Sequence, residues 1–147
     1  MSTWELGNII AVSQLAAKVY VAYQDASDVH RHISEEVMSL RVTINMAIRH
    51  FKSTTFSDND QLLGQEVLEG CKGVLEDLNS LIENYLASGD THQALKRVHS
   101  RIKDVTALKA RLISNTTLFN GFIQRFDIPL TTIMYIMLMS LLQLQVA

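Results

Sequence analysis

The stretch ISEEVMSLRVTINMAIRHF, from Ile33 to Phe51, decides the fold class. Ile33, Val37, Leu40, Ile44, Ala47 and Phe51 recur at alternating spacings of four and three, which on a helical turn gathers them into one apolar stripe and leaves Ser, Glu and Arg outside it. A half-buried strand would alternate with a period of two, and this stretch does not. Ser34, Glu35 and Glu36 give the predicted helix a polar, acidic first turn, which suits the positive end of its dipole. The preceding segment, Asp25 to His32, mixes Asp, Ser and His and reads as a connection.

The same reading extends in both directions. Trp4 to Asp25 contains no proline and is apolar on nearly every side, interrupted by Lys18; such a helix is either central in a bundle or able to enter a membrane. Lys52 to Asn59 is a break, where Ser57 and Asp60 stand at the spacing of a capping pair. A third helix is predicted from Asp58 to Leu86, with Leu63, Val67, Cys71, Val74, Leu78, Leu81 and Tyr85 on one stripe. Gly64 falls on that stripe, Gly70 beside it and Gly73 farther round, and each costs a helix about 1 kcal/mol relative to alanine. Three of them so close together point to a close approach by another helix, or to a bend. Ser88, Gly89 and Asp90 form a stop, and Thr91 can cap the next helix. That fourth helix is predicted from His92 to Arg125, with Leu95, Val98, Ile102, Val105, Leu112, Phe119 and Ile123 repeating near 3.5 residues. Lys109 occupies a seam position, read as a snorkelling stem beside Leu108.

Composition agrees with an all-α bundle of four long helices plus an apolar C-terminal helix or tail. The chain has 147 residues, enough for one domain to bury a core without staples. Six glycines and one proline, Pro129, are too few for a turn-rich sandwich or barrel. A single cysteine, Cys71, excludes an internal disulfide framework. The net charge of −2 lacks the basic excess of a general nucleic-acid binder. No cationic region precedes the first apolar stretch, so a cytoplasmic protein is expected, with membrane association as a further expectation.

Near-neutrality is a cancellation. Between Asp58 and Asp90 eight acids face one base, Lys72, whereas Thr91 to Arg125 holds seven bases and one acid, Asp104. Opposite signs favour antiparallel pairing of the third and fourth helices.

Motifs for catalysis are lacking. The run GQEVLEGCKG, Gly64 to Gly73, evokes a phosphate loop but lacks the Gly-Lys-Ser/Thr ending and lies within a helical pattern. The five histidines show no zinc-ligand spacing, and Cys71 sits on the apolar stripe as a small buried hydrophobe. Asn115-Thr116-Thr117 matches a glycosylation acceptor inside a predicted helix. No catalytic residue, metal ligand, cofactor site or small-molecule substrate is assigned.

Three features remain. The apolar first helix offers Leu6, Ile9, Ile10, Val12, Leu15 and Val19 as candidate membrane-inserting residues. Lys96, Arg97, Arg101, Lys103 and Arg111 form a candidate patch for anionic lipid or a protein partner, against the plainer reading of complementarity to the third helix. The last twenty residues, Ile128 to Ala147, carry no charge and divide from a bundle domain at 1–127. Their dense part is only about ten residues long, short for a span. A fifth helix covering the bundle, an interfacial anchor through Ile133, Ile136, Leu138, Leu141 and Leu142, and a non-native tail all fit that segment.

Finally, GNIIAVSQLAAKVY at Gly7–Tyr20, HISEEV at His32–Val37, GQEVLEGC at Gly64–Cys71, LEDLNSLI at Leu75–Ile82 and LISNTTLFN at Leu112–Asn120 resemble the N-terminal helical domain of fungal NACHT, ankyrin-repeat and related signalling proteins. That domain is similar to the HeLo and HeLo-like modules of incompatibility and regulated cell death. The resemblance spans about Trp4 to Arg125 and implies a four-helix bundle whose N-terminal apolar helix can be released to permeabilise membrane. It brings no catalytic residues. The expected function is a signalling or effector module acting through self-association and membrane engagement; the alternative is a scaffolding bundle that binds protein partners without touching lipid.

Overall fold

A computed structural model describes residues 4–24, 28–51, 54–87 and 91–146, with side-chain surroundings for all of these except 28–30, 85–87, 91–104, 127–134 and 145–146. The described residues form an all-α bundle of helices α1 (Leu6–Gln24), α2 (Asp28–Phe51), α3 (Asp58–Ala87) and α4 (Thr91–Val146). No strand occurs among them.

Each helix starts where its local chemistry allows. The carbonyl of Glu5 accepts the amides of Asn8 and Ile9 at 3.0 and 3.1 Å, opening α1. At α3 the Asp60 amide donates to the Ser57 hydroxyl at 3.1 Å while the Ser57 amide reaches the Asp60 carboxylate at 3.4 Å. This is the reciprocal cap predicted at that spacing, with Asp in the place usually taken by Glu or Gln.

Ile33, Val37, Leu40, Ile44 and Ala47 are fully buried and Phe51 packs beside them. The helix nevertheless begins at Asp28, five positions before the predicted start at Ile33. Ser34 is already inside it, donating to the Arg31 carbonyl at 2.6 Å. Polar and charged residues without Pro or Gly tolerate a first helical turn, so residues 28–32 of the segment read as a connection extend the helix instead.

α1 lies beside α2 and α3, and α4 completes the square by lying beside α3 and α2; α1–α4 and α2–α3 are the diagonals. Side chains give the directions. Asp77 meets Arg111 and Asp60 meets Arg125, so α3 and α4 run antiparallel. Tyr23 bonds to Leu78 while Trp4 packs on Gly64, so α1 and α3 run parallel. The α2–α3 connection therefore crosses a diagonal, and Phe56 within it packs edge-on against Trp4 at 5.6 Å.

The buried stripe of α3 is Gly64, Leu68, Cys71, Val74, Leu75, Leu78 and Ile82, centred about one position later than predicted. Leu63 is exposed, and Val67 and Leu81 are only half-buried. In α4, Val105, Leu112, Phe119 and Ile123 are buried as expected, joined by Phe122. Leu108 packs against the core beside half-buried Lys109. The predicted core positions Tyr85, Leu95, Val98 and Ile102, and the stop at Ser88 to Asp90, lie outside the described residues or side chains.

The fourth helix does not end at Arg125. One helix of 56 residues runs on through Pro129 to Val146, a length of about 84 Å against about 45 Å for the 30 residues of α3. Proline in a helix interior removes one backbone donor and crowds the carbonyl four residues earlier, at a cost of about 3 kcal/mol. The residues beyond it, rich in Leu and Met and free of Gly, have high helix propensity and carry the helix onward.

Candidate functional site

The seat of α1 is the most specific construction in the bundle. Its buried positions, Ile9, Val12, Ser13, Ala16, Val19 and Tyr23, follow spacings of three and four and face α2 and α3. Polar bonds hold it in two places. The Ser13 hydroxyl donates to the Asn45 side-chain carbonyl of α2 at 2.9 Å. Near the far end the buried Tyr23 hydroxyl donates to the Leu78 carbonyl of α3 at 2.6 Å. A surface pair between Lys18 and Glu83 at 3.8 Å adds little, since both side chains are more than half exposed.

Ahead of α1, Trp4 is buried at 3% exposure. Its ring lies 6.4 Å from Phe51, 5.6 Å from Phe56, 6.3 Å from Phe119 and 5.2 Å from Phe122. Phe126 joins through Phe56 at 4.9 Å and Phe122 at 5.1 Å. All five phenylalanines and the only tryptophan thus gather at one end of the bundle. Tilted and edge-on pairs of this kind contribute about 0.5–1.5 kcal/mol each beyond their burial. Gly64 makes room: a Cβ there would stand 2.8 Å from the Trp4 ring and 2.9 Å from Phe122.

The candidate membrane-inserting residues are divided by this seat. Ile9, Val12 and Val19 are buried, Leu6 and Leu15 half-buried, and Ile10 is 37% exposed. α1 is long and apolar enough to cross a membrane, with a third of its apolar window buried. Among the described residues it is the one helix so classed by length and composition.

Beside α1, a groove of about 190 Å³ opens between Asn8, Ala11, Val12 and Leu15 and the α3 residues Leu68, Glu69 and Lys72. Among the described residues no three His, Cys, Asp or Glu side chains stand together as a metal site. The Cys71 thiol is buried against α4, with its sulfur 3.8 Å from the Asn115 carbonyl. Burial pushes its pKa up to about 12, away from the reactive thiolate.

Of the basic patch, only Arg111 has described side-chain surroundings. It is exposed and paired with Asp77 at 2.8 Å, and Arg125 lies 3.5 Å from Asp60. The side chains of Lys96, Arg97, Arg101 and Lys103 lie outside the described set. Of the candidate anchor, Ile136, Leu138, Leu141 and Leu142 are all exposed, and the side chain of Ile133 lies outside the described set. These residues continue α4, and the described ones cover nothing in the bundle.

Reading the sequence alone missed Trp4, Ser13, Asn45 and Tyr23 as the groups that hold α1. The available signal was the phenylalanine spacing in α4, where 119, 122 and 126 share one helix face. No family model, curated protein or solved structure matches this chain.

Proposed function

We propose that this chain is a non-enzymatic helical signalling or effector module, acting by self-association and membrane engagement through α1, in the manner implied by its resemblance to the HeLo-like domains of fungal NACHT and ankyrin-repeat proteins. The observation that carries the reading is α1 itself. Its 19 residues contain one charge, Lys18. Their length of about 28 Å approaches the roughly 30 Å of a bilayer's hydrocarbon core. Within the bundle α1 has helical neighbours on two sides only, so it can leave by separating from α2 and α3. Lys96, Arg97, Arg101 and Lys103 would draw the protein to anionic lipid, each contributing about 1 kcal/mol near the surface.

Dye leakage from vesicles containing anionic lipid tests this reading. Wild type should release dye, and Ile10→Gln with Val21→Gln should reduce release. Both positions are exposed, at 37% and 57%, so the pair lowers the apolarity of α1 while sparing the core. Absence of leakage at every lipid composition overturns the membrane mechanism.

A second reading, a scaffolding bundle that binds protein partners, is favoured by the burial of Ile9, Val12 and Val19 and by the bonds of Ser13 and Tyr23. It requires α1 to stay protected from hydrogen exchange in the presence of vesicles.

A further inference from the structure

The residues Tyr135 to Leu144 form the part of α4 whose described side chains all face solvent. The eight large hydrophobic residues among these ten are 44–74% exposed. An apolar helix of this length is ordinarily either buried in a core or placed at a membrane interface. Exposure along the whole segment removes the first option for this chain. We infer that the C-terminal part of α4 is a lipid-binding element that enters the acyl region of a bilayer, independently of α1 and of anionic headgroups.

The breadth of the apolar surface selects lipid over a protein partner. Successive residues turn by about 100°, so the arc running from Leu144 through Leu141 and Leu138 to Met139 covers about 220° of the helix. Ser140 and Gln143 fall in the remaining sector. A helix partner covers one stripe, and acyl chains surround a helix. A second copy laid along these ten residues would cover a strip about 15 Å long and about 10 Å wide, roughly 150 Å², well short of the roughly 800 Å² per partner of a stable interface.

Charge gives the second argument. Ile128 to Ala147 contains no Asp, Glu, Lys or Arg, so no buried ion opposes insertion and no basic residue within the segment ties binding to headgroup charge. The described ten residues span about 15 Å, the depth of one leaflet. Because α4 is continuous from Thr91 to Val146, the inserted end and the bundle belong to one helix.

Flotation of the full chain with vesicles of phosphatidylcholine alone tests the inference. Wild type should float with these neutral vesicles, and raising salt to about 1 M, where the screening length is about 3 Å, should leave binding unchanged. Leu138→Glu with Leu141→Glu should weaken binding about a hundredfold or more. Both sites are exposed, so the bundle should keep its helical signal and Trp4 emission. A fluorophore on Ser140→Cys should shift to the blue on adding vesicles and be quenched by spin-labelled acyl chains. Ile10→Gln with Val21→Gln should float like wild type, which separates this result from the leakage assigned to α1. Three results overturn the inference: no flotation, flotation confined to anionic vesicles and lost in salt, or a lipid-free oligomer dispersed by the Leu138 and Leu141 changes without any vesicle binding.

Discussion

Three glycines in one helix have three different surroundings. A Cβ on Gly64 would press into the Trp4 and Phe122 rings, one on Gly70 would stand 2.5 Å from the end of the Asn115 side chain, and one on Gly73 would meet nothing within 4 Å. Gly64→Ala should therefore destabilise by about 1–3 kcal/mol through overpacking. Gly73→Ala should stabilise by about 0.5–1 kcal/mol through helix propensity. Urea midpoints read the difference, and equal responses would mean that Trp4 is not seated on Gly64. Cys71 gives a second prediction. Its folded-state pKa of about 12 lies above the ordinary thiol value near 8.5, so the native state retains the proton where the unfolded chain loses it. This contribution is intact below about pH 8.5 and is lost as pH rises toward 12, at up to about 1.4 kcal/mol per unit. Urea titrations across that range should show a steeper loss for wild type than for Cys71→Ala; identical slopes would contradict burial of the thiol.

Among the elements, α1 is held by unlike contacts. Tyr23→Phe removes a buried hydroxyl bond and should cost about 1 kcal/mol. Lys18→Ala loses only an exposed pair and should change stability by less than about 1 kcal/mol. Hydrogen exchange of α1 amides should accelerate in the first variant more than in the second; the reverse order would place the hold on the surface. Much of this level was legible beforehand. The α2 stripe from Ile33 to Ala47 and the Ser57–Asp60 cap rest on local spacing, which a helix expresses directly. The phase of the α3 stripe was only partly legible: Cys71, Val74 and Leu78 belong equally to a stripe through Leu63 and Val67 and to one through Leu68 and Leu75, and packing selects the second. The start of α2 was not legible, since Asp28 to His32 is compatible with either turn or helix until packing decides.

At the scale of the molecule, the cancellation of charge reappears as contact. The acidic third helix meets the basic fourth at Asp60–Arg125 and Asp77–Arg111, in the antiparallel order that the signs favoured. The diagonal placement of α2 and α3 was hidden, because helical periodicity specifies which face is buried and not which neighbour buries it. The outcome at Pro129 was hidden as well, because a proline costs a helix interior about 3 kcal/mol and ordinarily ends or kinks it, whereas α4 is continuous through it. Candidate sites were legible as composition, in the apolar first helix and the uncharged end. Their difference, one tucked into the core and the described side chains of the other bare, required three dimensions. The aromatic seat carries one more consequence. Trp4 is the chain's only tryptophan and touches α1's docking surface, so the protein contains its own optical gauge. Emission from a single ring, excited selectively over tyrosine, registers whether the first helix is home, in water or among acyl chains, with no label attached.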